Sequence, residues 1–452
     1  MQNLSRTFLL ANTLVLCARA FEVATFSVEV TPPLGHACMG GGISPALAIV
    51  DPLYARGVTL LGADKPIVLV SIDWCEIRND AFDAYRDALA LAAGTSRNRV
   101  LLSSVHVHDA PVVDFTAQRL LDEQGLHRAL CDVNYVQRCI DRTATALRDS
   151  LRHARPVTHY GIGQAEVKEL ASNRRYVGAD GKPVYSRTSA TAGEALRAFD
   201  VGEHDPYLRT LSFWDGDQPV AALHAYAVHP MSYYGKGGVS ADFVGLARRR
   251  RQDDDPAVFH VYFSGCSGDV VAGKWNDGNP ANRPVLADKL YQGMLAAWNA
   301  TERFPLTDVT VRVSELRLEP KSTSGFTEED MRRILADANQ RTFQRILAAM
   351  GLSWRMRAAA GRPIEIPAVD FGKAQFLLMP AESFVGYQLM AQQLAPESFV
   401  ITAGYGDCAP GYIPTDFASS EGFNDDHDWC WVAPGSEGAM REALKSALGV
   451  TP

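Results

Sequence analysis

The sequence predicts an α/β fold in which a mixed β-sheet core is flanked by helices. Apolar segments with the strand period of two alternate along the chain with segments of helical period, and several neighbouring strands are separated only by short turns. The 452 residues are 47% hydrophobic and 21% charged, a composition that supplies a large buried core. No linker and no repeat at a fixed period divides the pattern, so the simplest prediction is a single domain over residues 21–452.

The charge balance and the cysteine pattern exclude several classes of protein. With 44 Lys and Arg against 52 Asp and Glu the formal charge is -8, so no net positive field attracts nucleic acid. The eight cysteines include no C-x-x-C pair, which excludes a zinc ribbon. Beyond the N-terminal leader no apolar run approaches the roughly 18 to 20 residues of a membrane span, and we expect no transmembrane segment.

The N-terminus has the pattern of a secretory signal. An apolar stretch at residues 8–17 precedes Ala-Arg-Ala at residues 18–20, which is typical of a cleavage site. We therefore predict a signal peptide over residues 1–20 and a secreted or periplasmic protein. A buried first strand or helix is the alternative, because Asn12 and Thr13 interrupt the apolar stretch.

The first half of the chain is predicted to contain two hairpins. Strands with alternating or continuous apolar residues lie at residues 26–31, 57–61, 67–72, 99–106, 157–163, 208–213 and 219–228. Helices are predicted over residues 80–93, where Gly94 ends the helical pattern, and over residues 133–151. Asp215 and Gly216 form a strong turn signal between the last two strands.

The second half repeats the alternation of helix and strand. Helices are predicted at residues 243–251, 285–300, 328–350, 384–394 and 435–448. Strands are predicted at residues 257–263, 309–318, 376–379 and 399–402. Between the two halves, the polar, Gly-rich residues 172–202 form the longest predicted loop.

Two histidines end the predicted strand at residues 99–106. His106 and His108 are two positions apart, so on an extended backbone both imidazoles point to one face and reach one centre. Imidazole is the commonest metal ligand in proteins. The alternative is a pair of hydrogen-bonded polar histidines, since two histidines do not define a metal site.

Three more polar side chains follow other predicted strands. His229 ends the strand at residues 219–228, Glu382 follows residues 376–379, and Tyr412 lies beyond residues 399–402. Enzymes with α/β folds build their sites at the carboxyl ends of strands, which favours a shared site. Taken singly, Glu382 is also explained as an acid at a helix N-terminus and Tyr412 as a packing residue.

In this order the motifs resemble the neutral/alkaline non-lysosomal ceramidases over most of the mature chain. The matching segments are Thr31-Pro32-Pro33, Asp51-Pro52-Leu53-Tyr54-Ala55-Arg56, His106-Val107-His108, His229-Pro230 with Ser240-Ala241-Asp242, Pro380-Ala381-Glu382 and Gly411-Tyr412-Ile413-Pro414-Thr415. Any one of these segments is a weak signal. Five or more in the same order are specific, and the resemblance implies the catalytic domain of that family.

The resemblance implies a Zn²⁺ site and an amide hydrolase acting on ceramide-like or other lipid-like N-acyl substrates in sphingolipid metabolism. The implied zinc ligands are His106, His229, Glu382 and Tyr412. His108 is then the implied general base or hydrogen-bond donor beside the metal. Arg174, in the pair Asn173-Arg174, is the implied contact for a polar or anionic substrate group. A solvated loop charge is the alternative for Arg174.

The chain also departs from the family. Val271 stands where the ceramidases carry a serine, so covalent catalysis through that residue is excluded, whereas attack by metal-activated water does not need it. Because the sequence ends soon after Tyr412, we expect no counterpart of the family's C-terminal immunoglobulin-like domain. Two alternatives stay open. One is a metallohydrolase of another class, disfavoured because Pro111 ends the stretch where H-x-H-x-D-H needs histidine. The other is a catalytically silent binding protein that keeps the fold.

Overall fold

Three mixed β-sheets form the centre of the fold in a computed structural model, which describes residues 20–425 and 427–450. In spatial order the first sheet contains Val100–Ser104, Ile67–Ile72, Tyr54–Leu61, Phe21–Glu29 and Arg155–Val157. The second contains Phe259–Ser264, Gln218–Tyr226, Tyr207–Asp215, His159–Glu166 and Glu302–Pro305. The third contains Thr310–Leu316, Ile364–Asp370, Ala374–Leu378 and Phe399–Ala403. The predicted α/β class with a mixed sheet and flanking helices is confirmed, although the sheet is divided into three.

Each sheet contains the same local unit of hairpin, helix and parallel strand. In the first sheet the hairpin is followed by the helix Asn79–Ala93, which returns the chain to Val100–Ser104, parallel to the second hairpin strand. The helices Asp242–Asp254 and Val385–Leu394 make the same crossover in the second and third sheets. A parallel pair requires such a crossover, because a tight turn joins only antiparallel strands.

The carboxyl ends of the three crossover strands meet at one place. The backbone N–H of Ser104 donates to the carbonyl of Tyr405 at 3.0 Å, and that of Gly404 donates to the carbonyl of Ser264 at 2.7 Å. The Ser264 hydroxyl donates in turn to the carbonyl of Val105 at 2.7 Å. The segments that follow these strands are therefore held together, although they lie far apart in sequence.

The inner faces of the three sheets enclose an apolar core of their own. All three sheets contribute buried side chains to it, among them Leu69, Leu101, Phe213, Val261, Phe376 and Ile401. A second and larger core lies between the sheets and the helices. Burying each such side chain stabilises the fold by about 1.5 to 3 kcal/mol.

The remaining elements surround this centre. The other helices are Phe115–Asp122, Val133–Ser150, Glu194–Ala198, Asn282–Asn299, Glu328–Ala336, Thr342–Ala359, Asp416–Ser420 and Ser436–Leu448. Short strand pairs join Ala48–Ile49 to Gly238–Val239, Glu76–Ile77 to Val112–Val113, Ser172–Asn173 to Val270–Val271, Tyr176–Val177 to Pro183–Val184, and Glu382–Ser383 to Tyr412–Ile413. These pairs connect the loops at the carboxyl ends of the strands.

The predicted and observed elements differ at several places. The single helix predicted over residues 328–350 is wrong: it is broken after Ala336, where the Asp337 carboxylate accepts from the backbone N–H of Asn339 and caps a turn instead. The strand predicted to reach His106 ends at Ser104. The strand Ile364–Asp370 has no counterpart in the sequence prediction.

Two further properties concern the described residues as a whole. Their seven cysteines are all buried free thiols. None of their helices is both long enough and apolar enough to cross a membrane. Residues 1–19 of the predicted leader lie outside the described residues.

Candidate metal centre

Three buried side chains, each in a segment that follows a strand of a different sheet, converge where the strands meet. Nε2 of His106 lies 3.1 Å from Nε2 of His229 and 3.3 Å from Oε2 of Glu382, and Nε2 of His229 lies 3.8 Å from the same oxygen. Ligand atoms about 2.0 to 2.2 Å from one tetrahedral ion are about 3.3 to 3.6 Å apart. The three donor atoms therefore have the spacing that one divalent cation requires.

The hydrogen bonds of the two histidines turn their lone pairs toward one another. Nδ1 of His106 bonds to the carbonyl of Cys75 at 2.9 Å, and Nδ1 of His229 bonds to the carbonyl of Ser267 at 3.0 Å. A carbonyl only accepts, so each Nδ1 carries a proton, and each ring presents a bare Nε2 when it is neutral. Two such acceptors at 3.1 Å repel each other unless a cation lies between them.

Glu382 is the third donor and is deeply buried. Its Oε2 has no hydrogen-bond partner within the described residues. Burial acts to raise the pKa of Glu382, but the adjacent charges of His106 and Arg174 lower it. The backbone of Glu382 lies close against Gly268, and only a glycine leaves room for it, because a Cβ at position 268 would stand 2.3 Å from the carbonyl oxygen of Glu382. A buried carboxylate oxygen beside two imidazoles that hold a proton on Nδ1 fits the donor set of Zn²⁺.

The surroundings shift the pKa values of the two histidines in opposite directions. Burial acts to lower the pKa of His106, but the carboxylate of Glu382 outweighs burial and raises it. Burial and the neighbouring His106 hold the pKa of His229 well below its usual value.

A second possible donor group consists of Cys75, His106 and His108. Burial raises the pKa of the Cys75 thiol well above its usual value, which disfavours the thiolate that binds metal.

His106 and His108 reach the same centre in a way that the sequence did not predict. His106 has a left-handed backbone with φ of 72°, which few residues other than glycine adopt, and its N–H donates to the carbonyl of Trp74 at 2.9 Å. The two rings are perpendicular, and their Nε2 atoms are 3.4 Å apart. A turn held by Trp74 and Cys75, rather than an extended strand, therefore aims His106 at the centre.

His108 lies at the solvent side of the centre and is half-buried. Its Nε2 is 3.3 Å from Nε2 of His229, and the ring of Tyr234 packs edge-on against it at 5.1 Å. Its Nδ1 is buried without a hydrogen-bond partner among the described residues. Burial and the charges of His106 and Arg174 hold the pKa of His108 well below its usual value.

Tyr412 and Arg174 form the opposite wall. Glu382 and Tyr412 are register partners in a parallel strand pair, which places their side chains on one face. Arg174 donates from its terminal nitrogen to the Tyr412 hydroxyl at 3.2 Å and from Nε to the carbonyl of Gly268 at 3.0 Å. Burial raises the pKa of Tyr412 well above its usual value. The structure thus brings all six predicted site residues together, and their individual roles stay predictions.

Tyr405 and His427 also contact the centre and were not predicted as site residues. The ring of Tyr405 stacks on that of His106. The sequence indicates Tyr405 only by its position, because it is the first aromatic residue after the strand Phe399–Ala403. His427 belongs to the acidic run at residues 425–428. Its ring packs against Tyr412 at 4.4 Å, and its Nδ1 accepts from the backbone N–H of Trp429 at 3.3 Å. Residue 426 of that run lies outside the described residues.

The segment that replaces the family's serine motif is structural. Val271 is fully buried and pairs with Ser172, and it offers no nucleophilic atom. Asp269 accepts from Asn173 and from the backbone N–H of Val385, both at 2.8 Å, so it ties the loop of Arg174 to the segment of Glu382. Lys274, three residues further along the chain, donates to loop carbonyls including that of Phe199 at 2.6 Å.

Two solved structures have the same fold. A ceramidase complexed with C2 is 14% identical to this chain, covers 96% of it with 75% of its own chain, and has a TM-score of 0.69. The neutral ceramidase from Pseudomonas aeruginosa is 15% identical, covers 95% of the chain with 74% of its own, and has a TM-score of 0.67. No protein-family model and no curated protein matches the sequence. The fold is therefore that of the neutral ceramidases.

Proposed function

We propose that the chain is a member of the neutral ceramidase family. In this proposal it is a zinc-dependent hydrolase that cleaves the amide bond of ceramide-like or other lipid-like N-acyl substrates. The observation that carries the proposal is the convergence of His106, His229 and Glu382, whose donor atoms lie within 4.8 Å of one another. The fixed tautomers of the two imidazoles support metal binding, because neutral imidazole is the form that coordinates.

The proposed ligands are the convergent three together with the hydroxyl of Tyr412. When bound, Zn²⁺ supplies Lewis acidity, which polarises a carbonyl and acidifies water. The carbonyls of Cys75 and Ser267 hold the two imidazoles in the metal-binding tautomer. Arg174 donates to the Tyr412 hydroxyl and so stabilises negative charge on that oxygen.

His108 and Arg174 are the proposed groups that act on the substrate. His108 is half-buried at the open side with Nε2 turned inward, and this nitrogen accepts the proton from an attacking water. Arg174 is also half-buried, and its guanidinium is anchored to Gly268 and Tyr412. A positive group fixed in this way orients a polar substrate group and stabilises the oxyanion that forms at the carbonyl.

The proposal is tested by hydrolysis assays with zinc-loaded protein. The assays compare ceramide and simple N-acyl amides with esters of matching chain length, for the wild type, Glu382→Gln and the control Glu302→Gln on an exposed strand. We expect amide hydrolysis by the wild type and by the control, and a loss of about 10³-fold or more in Glu382→Gln. Full zinc loading without amide hydrolysis would overturn the proposal and favour the silent binding protein.

A further inference from the structure

An apolar surface adjoins the open side of the metal centre. Residues 47–50 read Leu-Ala-Ile-Val, and all four are exposed. Leu47 is 63%, Ile49 43% and Val50 58% exposed, and Leu34 is 64% exposed. The hydrogen bond from the Gly35 N–H to the Ala46 carbonyl at 2.7 Å brings Leu34 beside Leu47. We call these four large side chains, Leu34, Leu47, Ile49 and Val50, the entrance patch.

The entrance patch is locked to the loop that borders His108. Ala48–Ile49 pairs with Gly238–Val239, and a Cβ at Gly237 would stand 2.6 Å from the Leu47 side chain. The same loop places Tyr234 against the His108 ring, and the backbone N–H of Gly235 donates to the carboxylate of Asp109 at 2.8 Å. The patch is therefore a fixed part of the rim of the site rather than a free loop tip.

The composition of the patch suits an uncharged partner. Residues 33–50 contain no Asp, Glu, Lys or Arg, and the paired loop at residues 231–241 contains only Lys236. Four consecutive apolar residues are unusual on the surface of a water-soluble protein unless they have a function. A contiguous exposed apolar patch is typical of a binding surface. The net charge of -8 disfavours an anionic membrane, so a zwitterionic surface is the better match.

We propose that the entrance patch inserts into the surface of a zwitterionic lipid aggregate and so places the metal centre at the lipid interface. This inference rests on the proposed function, because a lipid-like substrate resides in such an aggregate. Aliphatic side chains enter the acyl boundary by losing contact with water, a gain that salt does not screen. The protein is then a peripheral binder, held by side chains at the mouth of its site.

The test measures binding of the purified protein to phosphatidylcholine vesicles by flotation, at low and at high salt. The variant is the double substitution Leu47→Ser with Val50→Ser, and the matched control is Leu91→Ser, a residue 83% exposed on the helix Asn79–Ala93. We expect wild type and control to bind equally at both salt concentrations. The double variant partitions about tenfold or more weakly, because two aliphatic groups no longer enter the lipid. Circular dichroism and the melting temperature verify that all three proteins fold.

Several results would overturn the inference. They are absence of vesicle binding by the wild type, equal binding by the double variant, and binding that occurs only with anionic vesicles and vanishes in salt. A change from dimer to monomer in the double variant with vesicle binding intact would also overturn it, in favour of a second copy on the patch. Flotation needs no turnover, so a failure of the proposed hydrolase activity leaves this result interpretable.

Discussion

The aromatic ring of Tyr405 stacks on the imidazole of His106, with ring centroids 4.2 Å apart and an angle of 16° between the planes. The Tyr405 hydroxyl hydrogen-bonds to Oγ of Ser267 at 2.8 Å and lies 3.4 Å from Nδ1 of His229. One side chain thus supports both histidines of the candidate metal centre. Groups that orient metal ligands commonly change metal affinity 10- to 100-fold when they are removed.

We expect Tyr405→Leu to weaken zinc binding by about 10-fold or more, because the His106 ring loses its flat support. Tyr405→Phe keeps the stack and loses only the hydroxyl, so its zinc affinity should lie between those of Tyr405→Leu and the wild type. Competition with a chromogenic chelator measures both affinities. Wild-type affinity in Tyr405→Leu would contradict a supporting role for the ring.

Arg174 should act on turnover rather than on metal content. We expect Arg174→Ala to lower kcat/KM for an amide substrate by about 10²-fold, because a fixed cation no longer stabilises the developing negative charge. The matched control is Arg175→Ala, which removes the neighbouring side chain paired with Glu421 and should change kcat/KM by less than about threefold. Elemental analysis should find equal zinc in both variants. Equal kcat/KM values in the two variants would contradict this role and indicate that Arg174 is a solvated loop charge.

Asp73 and Arg248 form a buried, bidentate ion pair beneath the site. The two guanidinium nitrogens donate to the two carboxylate oxygens at 2.6 and 2.7 Å. Asp73→Ala should lower the free energy of unfolding by about 3 to 5 kcal/mol, because it leaves the Arg248 charge buried without its partner. Urea denaturation measures the loss. Glu328→Ala, which breaks an exposed pair with Arg332, is the control and should cost less than about 1 kcal/mol.

The buried pair His224 and His260 should make the protein sensitive to acid. Their rings hydrogen-bond at 3.0 Å, burial and the Arg251 charge lower the pKa of His224 to about 3, and burial and His224 lower the pKa of His260 to about 2. Between pH 6.5 and about 3 the unfolded chain binds protons that the folded chain does not. The free energy of unfolding therefore falls as pH decreases, by up to about 1.4 kcal/mol per pH unit for each histidine.

Urea denaturation at a series of pH values checks this slope. Replacing both His224 and His260 with glutamine should flatten it, whereas His153→Gln, at an exposed position, is the control. An unchanged slope in the double variant would assign the acid sensitivity to other groups. Above pH 6.5 both states hold these histidines neutral, so their contribution is constant there.

The convergence of the site residues could be predicted from sequence, because the apolar pattern of a strand shows where the strand ends. His229 and Glu382 each follow a clear apolar strand, and the rule that α/β sites lie at carboxyl ends brought them together before any contact was known. The strand Ile67–Ile72 and the helix Asn79–Ala93 were predicted to within one residue, and the strand Tyr54–Leu61 was predicted three residues too short. These elements are set by local periodicity, turns and the left-handed Gly94.

What the sequence could not predict depends on contacts between distant segments. The division into three sheets follows from bonds such as that between Gly404 and Ser264, which no local pattern encodes. The left-handed backbone of His106 is imposed by the carbonyls of Trp74 and Cys75. Tyr405 resembles any core tyrosine until its ring is seen on His106.

The zinc content of the purified protein tests the central claim most directly. Elemental analysis compares the wild type with His106→Ala, His229→Ala and the control His153→Ala at an exposed position. We predict about one zinc ion per chain in the wild type and in the control, and its loss in the two site variants. A wild type that neither contains zinc nor takes it up, or site variants that keep the full complement, would contradict the account.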